Sequence, residues 1–279
     1  MSCRKKLIKG KQFLCGLLFC LSTEAQPAHL PSENGYTTAG ANSIHFMDAF
    51  SFRSNPACLG GIKDLVTGML FERKWMLPEL DNVQLAVSSP LEKGGLGISI
   101  QHSGDADYSE LAAELGYGKN LGKVDIGVCF HYLQDQAAGY QAVGYGSSSV
   151  GIRFHVSDKF ISGWEIGLPV FGQAGTIAPE RAPQFYRMGF GYEYNPDLFL
   201  SVQVEKTAGL PLNTICSVEY RYSEQFFFSF SVNSLAGSVF FKSGWKKNRI
   251  CVQVYSLYEP VLGLSPGIVL LWGRKNKME

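Results

Sequence analysis

Few residues in this sequence have the types and spacing that catalysis requires. Gly263-Leu264-Ser265-Pro266-Gly267 matches the G-x-S-x-G pattern of nucleophilic serines. That pattern needs a sharp turn from a strand into a helix, whereas Pro266 opposes a helical turn and a strand-like stretch follows it. We therefore interpret these five residues as an outer loop that leads into the last strand.

Two histidines, His131 and His155, fall on the polar faces of neighbouring predicted strands. A metal site would need a third and a fourth ligand nearby, and none is evident, so we expect both rings to join a hydrogen-bond network. No Walker A motif and no G-x-G-x-x-G fingerprint opens a helix anywhere in the chain. The sequence therefore predicts no enzymatic activity, no cofactor and no metal.

Charged side chains of both signs share the polar face of the predicted strands. Because unpaired charges in a barrel wall are costly, we expect pairs between adjacent strands, such as Arg187 with Glu165 or Glu205. Glu219 can pair with Lys242 or with Arg221 in the same way. A selectivity lining for a polar solute is the alternative interpretation. The predicted lumen-facing charge network consists of Asp125, Arg153, Glu165, Arg187, Glu193, Glu205, Glu219, Arg221, Lys242 and Arg249.

The strands that would position these charges are clearest over residues 184–233. Apolar side chains occupy every second position, as in Tyr186, Met188 and Phe190, and polar or small residues lie between them. Each run has about 9–11 residues, enough for a tilted strand to cross a bilayer. Aromatic residues gather at the ends of the runs, as they do at membrane interfaces. The apolar face is therefore expected to contact lipid.

From residue 67 onward the chain contains fourteen strand-like runs. The links between them alternate between short and mostly longer ones, which is how bacterial outer-membrane barrels arrange their periplasmic turns and outer loops. The predicted fold is all-β: a transmembrane antiparallel up-and-down β-barrel of about 14 strands, with a short N-terminal helical plug or cap. A soluble or periplasmic β protein is the alternative.

Both ends of the chain differ in composition from the barrel at residues 67–273. Residues 1–25 have the basic start, the apolar centre and the small residues of a signal peptide, and lipidation at Cys20 is the alternative. Residues 274–279 form a polar tail. The net charge of +1 gives no electrostatic case for nucleic acid. The remaining cysteines share no close spacing, so we expect neither disulfides nor a metal site.

The segment before the barrel, residues 26–66, does not alternate. Its apolar residues suggest one or two short helices that are interrupted at Asn55-Pro56, because the residue before a proline avoids the helical conformation. We expect this segment to plug the lumen or to cap its periplasmic end. Its motif is Asn55, Pro56 and Ala57.

Over roughly residues 39–272 the chain resembles the PorV/PorQ-like branch of the FadL-type outer-membrane barrels. Residues 48–59 resemble the group's Asn-Pro-Ala-Gly-Leu box after a short helix, with Cys58 where glycine is usual. Residues 71–80 are similar to the first strand and loop of small members, and residues 114–133 to a recurring hairpin. The resemblance implies a fourteen-stranded barrel with an N-terminal segment near the lumen, in a family that moves hydrophobic compounds or serves secretion machinery.

These observations together give one expectation and one alternative. We expect a structural or secretion-machinery-associated barrel in the bacterial outer membrane, exported by its signal peptide, with a partly plugged polar lumen. The alternative is a FadL-like transporter or channel for a small hydrophobic or amphipathic compound. The expected partners are outer-membrane lipid and either secretion-machinery proteins or a small hydrophobic ligand, but no nucleic acid.

Overall fold

A computed structural model describes Tyr36, residues 39–172 and residues 184–273 of the chain. The predicted signal peptide, with Cys20, and the polar tail at residues 274–279 lie outside the described residues. Most of the longest predicted link, residues 169–183, lies outside them as well.

Fourteen antiparallel strands form one closed barrel, in which each strand pairs with its neighbours in sequence and the last strand pairs with the first. The predicted fold class and strand number are confirmed. The strands are β1 (Val66–Arg73), β2 (Asp81–Leu91), β3 (Gly94–Gly104), β4 (Tyr108–Asn120), β5 (Val124–Ala137), β6 (Val143–His155), β7 (Phe160–Gly172), β8 (Phe185–Asn195), β9 (Leu198–Thr207), β10 (Asn213–Arg221), β11 (Phe226–Asn233), β12 (Ser238–Lys247), β13 (Ile250–Glu259) and β14 (Gly263–Trp272).

Helical structure among the described residues is confined to short 3-10 turns. Three of them precede the barrel, at Ala39–Asn42, Ser51–Arg53 and Pro56–Gly61, and Lys74–Met76 and Pro78–Leu80 follow β1. In the described part of the chain, no helix has the length and apolar character needed to cross a membrane.

Alternation along each strand separates an apolar outer surface from a largely polar interior. On β11, Phe226, Phe228 and Phe230 point outward and are 45%, 41% and 48% exposed, while Ser229 and Ser231 point inward and are buried. An apolar surface that encircles the molecule is unfavourable in water and stable against lipid. The outer surface is therefore that of a membrane barrel.

The links are short at one end of the barrel and mostly longer at the other, as the sequence predicts. The short-link end includes residues 92–93 and 196–197, and the long-link end includes residues 74–80 and 208–212. Membrane barrels of bacteria place their short turns in the periplasm.

The last strand begins earlier than predicted, because Gly263 to Pro266 belong to β14 and not to a loop. Pro266 lies opposite Ser256 of β13, whereas pairing with β1 begins only at Gly267. A strand tolerates proline where one side has no partner, since the missing N–H then breaks no ladder bond. Ser265 is buried in this strand and accepts a hydrogen bond from the Trp75 N–H at 2.9 Å. It does not lie on a nucleophile elbow.

Residues 39–61, which we call the plug segment, lie inside the barrel. Phe50 belongs to an apolar cluster with strand residues that include Leu70 and Val269. Phe52 and Leu59 form a second cluster with buried cysteines of the plug segment and of β5. The core of the molecule is therefore the contact between the plug segment and the barrel wall.

Candidate functional site

Inward-facing glycines form the surface against which the plug segment packs. A Cβ atom at Gly118 would lie 2.7 Å from the Gly60 nitrogen and 2.7 Å from the Pro56 carbonyl oxygen. At Gly97 it would lie 2.9 Å from the Phe52 ring. A residue with a side chain could not allow this approach of two backbones. The glycines at which an added Cβ would meet the plug segment are Gly68, Gly95, Gly97, Gly116, Gly118, Gly127, Gly151, Gly163, Gly189 and Gly191.

The Asn55-Pro56-Ala57 motif begins the third 3-10 turn and also fastens it to the wall. The Asn55 side-chain oxygen caps the turn by accepting a hydrogen bond from the Ala57 N–H at 3.0 Å, and Pro56 occupies the first position, where no N–H is needed. The Asn55 amide nitrogen donates to the backbone carbonyls of Ile152 and Trp164, at 3.4 and 3.3 Å. This asparagine therefore satisfies groups of both the plug segment and two strands.

Arg153 on β6 holds the first turn of the plug segment. Its guanidinium donates to the Ala41 carbonyl at 2.8 Å and to the Ser43 carbonyl at 3.3 Å. On its other side it forms an ion pair with Asp125 of β5 at 2.6 Å, and both side chains are almost fully buried. His155 also lies 2.7 Å from the same Asp125 oxygen. A buried, charge-assisted network of this kind fixes geometry because each member would be costly without its partners.

Glu193 on β8, two strands along the wall from Arg153, holds the next residues of the plug segment. Its carboxylate accepts hydrogen bonds from the Ile44 N–H at 2.7 Å and from the Ser43 hydroxyl at 2.5 Å. The His45 ring nitrogen Nδ1 lies 2.5 Å from its second oxygen. A single wall carboxylate thus orders three consecutive residues of the plug segment.

Arg221 on β10 closes over the same part of the plug segment at the short-link end. Its guanidinium donates to the His45 carbonyl at 2.7 Å and lies 3.9 Å from the centre of the Phe46 ring. Phe46 in turn stacks on Phe199 of β9, with ring centres 5.2 Å apart. Cation–π and stacking contacts add to the hydrogen bond, so this residue also binds the plug segment.

Arg187 on β8 combines two predicted ion pairs with a contact to the plug segment. It pairs with Glu165 at 2.7 Å and with Glu205 at 3.2 Å, so both of the predicted partners are used. The same guanidinium donates to the Ser54 carbonyl at 3.2 Å. Two carboxylates therefore balance the positive charge of Arg187, and the same guanidinium also holds the plug segment.

The plug segment contributes an arginine that the sequence analysis did not include. Arg53 forms an ion pair with Glu114 of β4 at 2.6 Å and donates to Gln84 at 3.1 Å. Glu114 also lies 3.4 Å from Nδ1 of His131, whose Nε2 lies 3.1 Å from the Ser149 hydroxyl. His131 thus takes part in a hydrogen-bond network, as predicted. No group of three or more His, Cys, Asp or Glu side chains among the described residues is arranged to hold a metal ion.

Three members of the predicted network lie apart from the plug segment's polar contacts. Lys242 pairs with Glu219 at 3.2 Å, one of the two predicted pairings for that carboxylate. Arg249 does not line the lumen, because it lies exposed in the turn between β12 and β13. We call Asp125, Arg153, Glu165, Arg187, Glu193, Glu205 and Arg221 the clamp, because their shared property is to bind the plug segment directly or through an arginine.

The wall opposite the clamp carries an apolar cluster, beside buried polar side chains of the same strands such as Glu72, Lys242 and Gln253. Inward-facing residues of β1 and β12–β14 form a continuous buried surface, and Tyr36 packs against it with its ring centre 5.6 Å from those of Phe50 and Tyr255. Phe227 and Leu257 extend this surface and stay partly exposed. We call the surface the apolar wall; its residues are Leu70, Phe240, Tyr255, Val269 and Leu271.

We expect Cys58 to be inert while the plug segment occupies the lumen. The thiol is 1% exposed, and burial raises its pKa to about 12, so both poor access and the un-ionised state of the thiol oppose alkylation. Iodoacetamide treatment of the folded barrel should leave Cys58 unmodified, whereas heat-unfolded protein should react fully; peptide mass spectrometry measures both. A cysteine introduced as Ser157→Cys, in an exposed turn, is the positive control. Rapid modification of Cys58 in the folded barrel would show that the plug segment leaves the lumen.

Comparisons with known proteins identify the fold and not a family. No protein-family model matches the chain, and no curated protein matches it in sequence. Among solved structures, the CymD monoaromatic hydrocarbon channel has a TM-score of 0.60 and 11% identity, covering 83% of this chain and 94% of its own. The Ralstonia pickettii toluene transporter TbuX has a TM-score of 0.57 and 9% identity, covering 81% and 93%. A Pseudomonas aeruginosa FadL homologue has a TM-score of 0.50 and 9% identity, covering 85% and 97%.

The chain has the fold of FadL-type barrels. Identities of 9–11% establish the architecture alone. The comparisons support the FadL-type fold. Membership of the PorV/PorQ-like branch stays a prediction. Each of these three neighbours aligns with this chain over 93–97% of the neighbour's own length, so the similarity extends over the whole fold.

Proposed function

We propose that the protein is a bacterial outer-membrane channel for a small hydrophobic or amphipathic compound, exported by a signal peptide at residues 1–25 and closed at its short-link end by the plug segment. This proposal adopts the alternative that the sequence left open. The observation that carries it is the two-sided lumen. Charges of the clamp are engaged by the plug segment, and the opposite side of the interior is the apolar wall.

A lumen with this division suits an apolar solute better than a hydrated one. Leu257 and Phe227 continue the apolar wall as partly exposed side chains, so an apolar molecule could add to an existing surface. Transfer of apolar area from water onto such a surface is favourable by about 25 cal/mol per Å². The names of two structural neighbours, a monoaromatic hydrocarbon channel and a toluene transporter, support the same class of solute.

Uptake by cells tests this proposal. Expression of the barrel in the outer membrane of a bacterial host should raise the uptake rate of radiolabelled toluene and leave that of a disaccharide unchanged. Leu257→Asn should lower toluene uptake severalfold because it places an amide on the apolar wall, and Tyr258→Phe on the outward face is the matched control. Equal uptake with and without the barrel would reject the transport function.

Secretion-associated function is the second candidate, and one observation is compatible with it. The clamp and the glycines close the barrel with buried contacts, which fits a structural barrel as well as a gated one. Tagged barrel purified from native membranes would then bring down a defined partner protein. Repeated recovery of the barrel alone, together with toluene uptake, would exclude this role.

A further inference from the structure

Three lysines lie at the short-link end of β2–β5. Lys93 lies in the β2–β3 link, Lys119 near the end of β4 and Lys123 in the β4–β5 link, and all three are exposed. The Tyr117 hydroxyl of β4 donates to the Lys93 carbonyl at 2.8 Å, which joins the β2–β3 link to the strand that carries Lys119. The lysines therefore belong to one surface.

Lys119 stands on the outward, apolar side of the barrel. It lies opposite Ile126 in the register of β4 and β5, and Ile126 is 43% exposed on the outer surface. The two preceding outward residues of its strand, Tyr117 and Leu115, are exposed as well. A lysine at this position extends its apolar stem along the lipid-facing surface and places its ammonium group at the level of the headgroups.

The three ammonium groups have no anionic partner within the described part of the chain. The Glu92 carboxylate is the acidic group of the two links, and the inward carboxylate of Asp125, at the start of β5, is bound to Arg153. Leu91 and Leu121 flank the lysines and are 50% and 56% exposed. The surface thus combines excess positive charge with exposed aliphatic and aromatic side chains. Such a combination fits a ligand that carries both an anionic head and an apolar tail.

We propose that this surface binds the phosphate headgroup of an anionic glycerophospholipid in the inner leaflet of the membrane. The choice of leaflet rests on the proposed outer-membrane location, because there the short links face the periplasm. Lys93, Lys119 and Lys123 contact the phosphate, and the acyl chains lie against Leu91, Leu121 and the strand surface above them. Each lysine near an anionic headgroup contributes enough to change binding about fivefold.

Native mass spectrometry of the detergent-purified barrel tests the site. Mixtures of phosphatidylglycerol and phosphatidylcholine are added, and the relative retention of the two lipids is measured. The unaltered protein should prefer phosphatidylglycerol. The triple variant Lys93→Ala, Lys119→Ala, Lys123→Ala should lose this preference by about fivefold per lysine, and 0.5 M salt should weaken it in the unaltered protein.

Lys206→Ala is the matched control, because this lysine also lies on the outward side of its strand but at the long-link end. It should keep the preference of the unaltered protein. Equal retention of both lipids by the unaltered protein, loss of preference in the Lys206 variant, or stronger retention of lipopolysaccharide would each overturn the proposal. The heat-dependent gel shift of every variant confirms that the barrel is folded. Toluene uptake is measured separately, so failure of the transport function leaves the lipid result readable.

Discussion

Methionine in place of Arg153 is expected to destabilise the folded barrel by about 3 kcal/mol and to release the beginning of the plug segment. The substitution leaves Asp125, which is 0% exposed, without its guanidinium partner. It also removes the donors to the Ala41 and Ser43 carbonyls. His155 remains bonded to Asp125 and compensates in part, so we expect the lower end of the cost for a broken buried ion pair.

Two measurements follow this change in Arg153→Met. The urea midpoint in detergent micelles, read by tryptophan fluorescence, should fall without a change in slope. Iodoacetamide should reach Cys58 in the folded variant much faster than in the unaltered protein. Arg249→Met is the control, since Arg249 lies exposed in a turn, and it should change neither quantity. An unchanged urea midpoint for the Arg153 variant would show that the clamp does not stabilise the folded barrel.

Valine at Gly118 is expected to push the plug segment away from the wall and to open a path through the short-link end. The added Cβ would lie 2.7 Å from backbone atoms of Gly60 and Pro56, which cannot move aside as a flexible side chain could. Overpacking of this kind costs about 1–3 kcal/mol. Valine itself favours strands, so β4 should still form and the strain should fall on the plug segment.

Single-channel recording in planar bilayers measures the effect of Gly118→Val. The unaltered barrel should show little ion conductance, and the variant should show clear, discrete openings. Ala113→Val lies on the outward face of the same strand, opposite Ile100, and should behave like the unaltered protein. Closed behaviour of the Gly118 variant, combined with normal folding, would show that the glycines do not control the position of the plug segment.

The clamp and the glycines give the proposed channel a defined closed end. Any solute that enters from the long-link end meets the plug segment and the apolar wall before it reaches the periplasmic side. Transport then requires either movement of the plug segment or a route around it. The Arg153 and Gly118 variants distinguish these two routes, because both loosen the plug segment and leave the apolar wall unchanged. Faster transport in these variants would indicate that movement of the plug segment limits transport.

Much of the barrel follows from the sequence alone, because strand alternation is a local property. Tyr186, Met188 and Phe190 mark an outward face over a few residues, whatever the rest of the chain does. Fourteen such runs with sorted link lengths are enough to predict the strand number and the closed antiparallel order. The prediction that Arg249 faces the lumen was wrong. Arg249 lies in the turn, one residue before β13 begins, and is therefore outside the lumen.

The partners of the inward charges were decided only by the tertiary structure. Arg153 and the Ala41 carbonyl that it binds are 112 residues apart, and no local pattern indicates this contact. Adjacent-strand pairing made Arg187 with Glu165 and Glu205 predictable, because register brings neighbours together. The role of the alternating glycines, such as Gly116 and Gly118, depends on a second backbone inside the barrel. The sequence by itself therefore determined the strands of the barrel wall, because their periodicity is local. Only the tertiary structure determined what the wall binds, because those contacts join segments that are distant in the sequence.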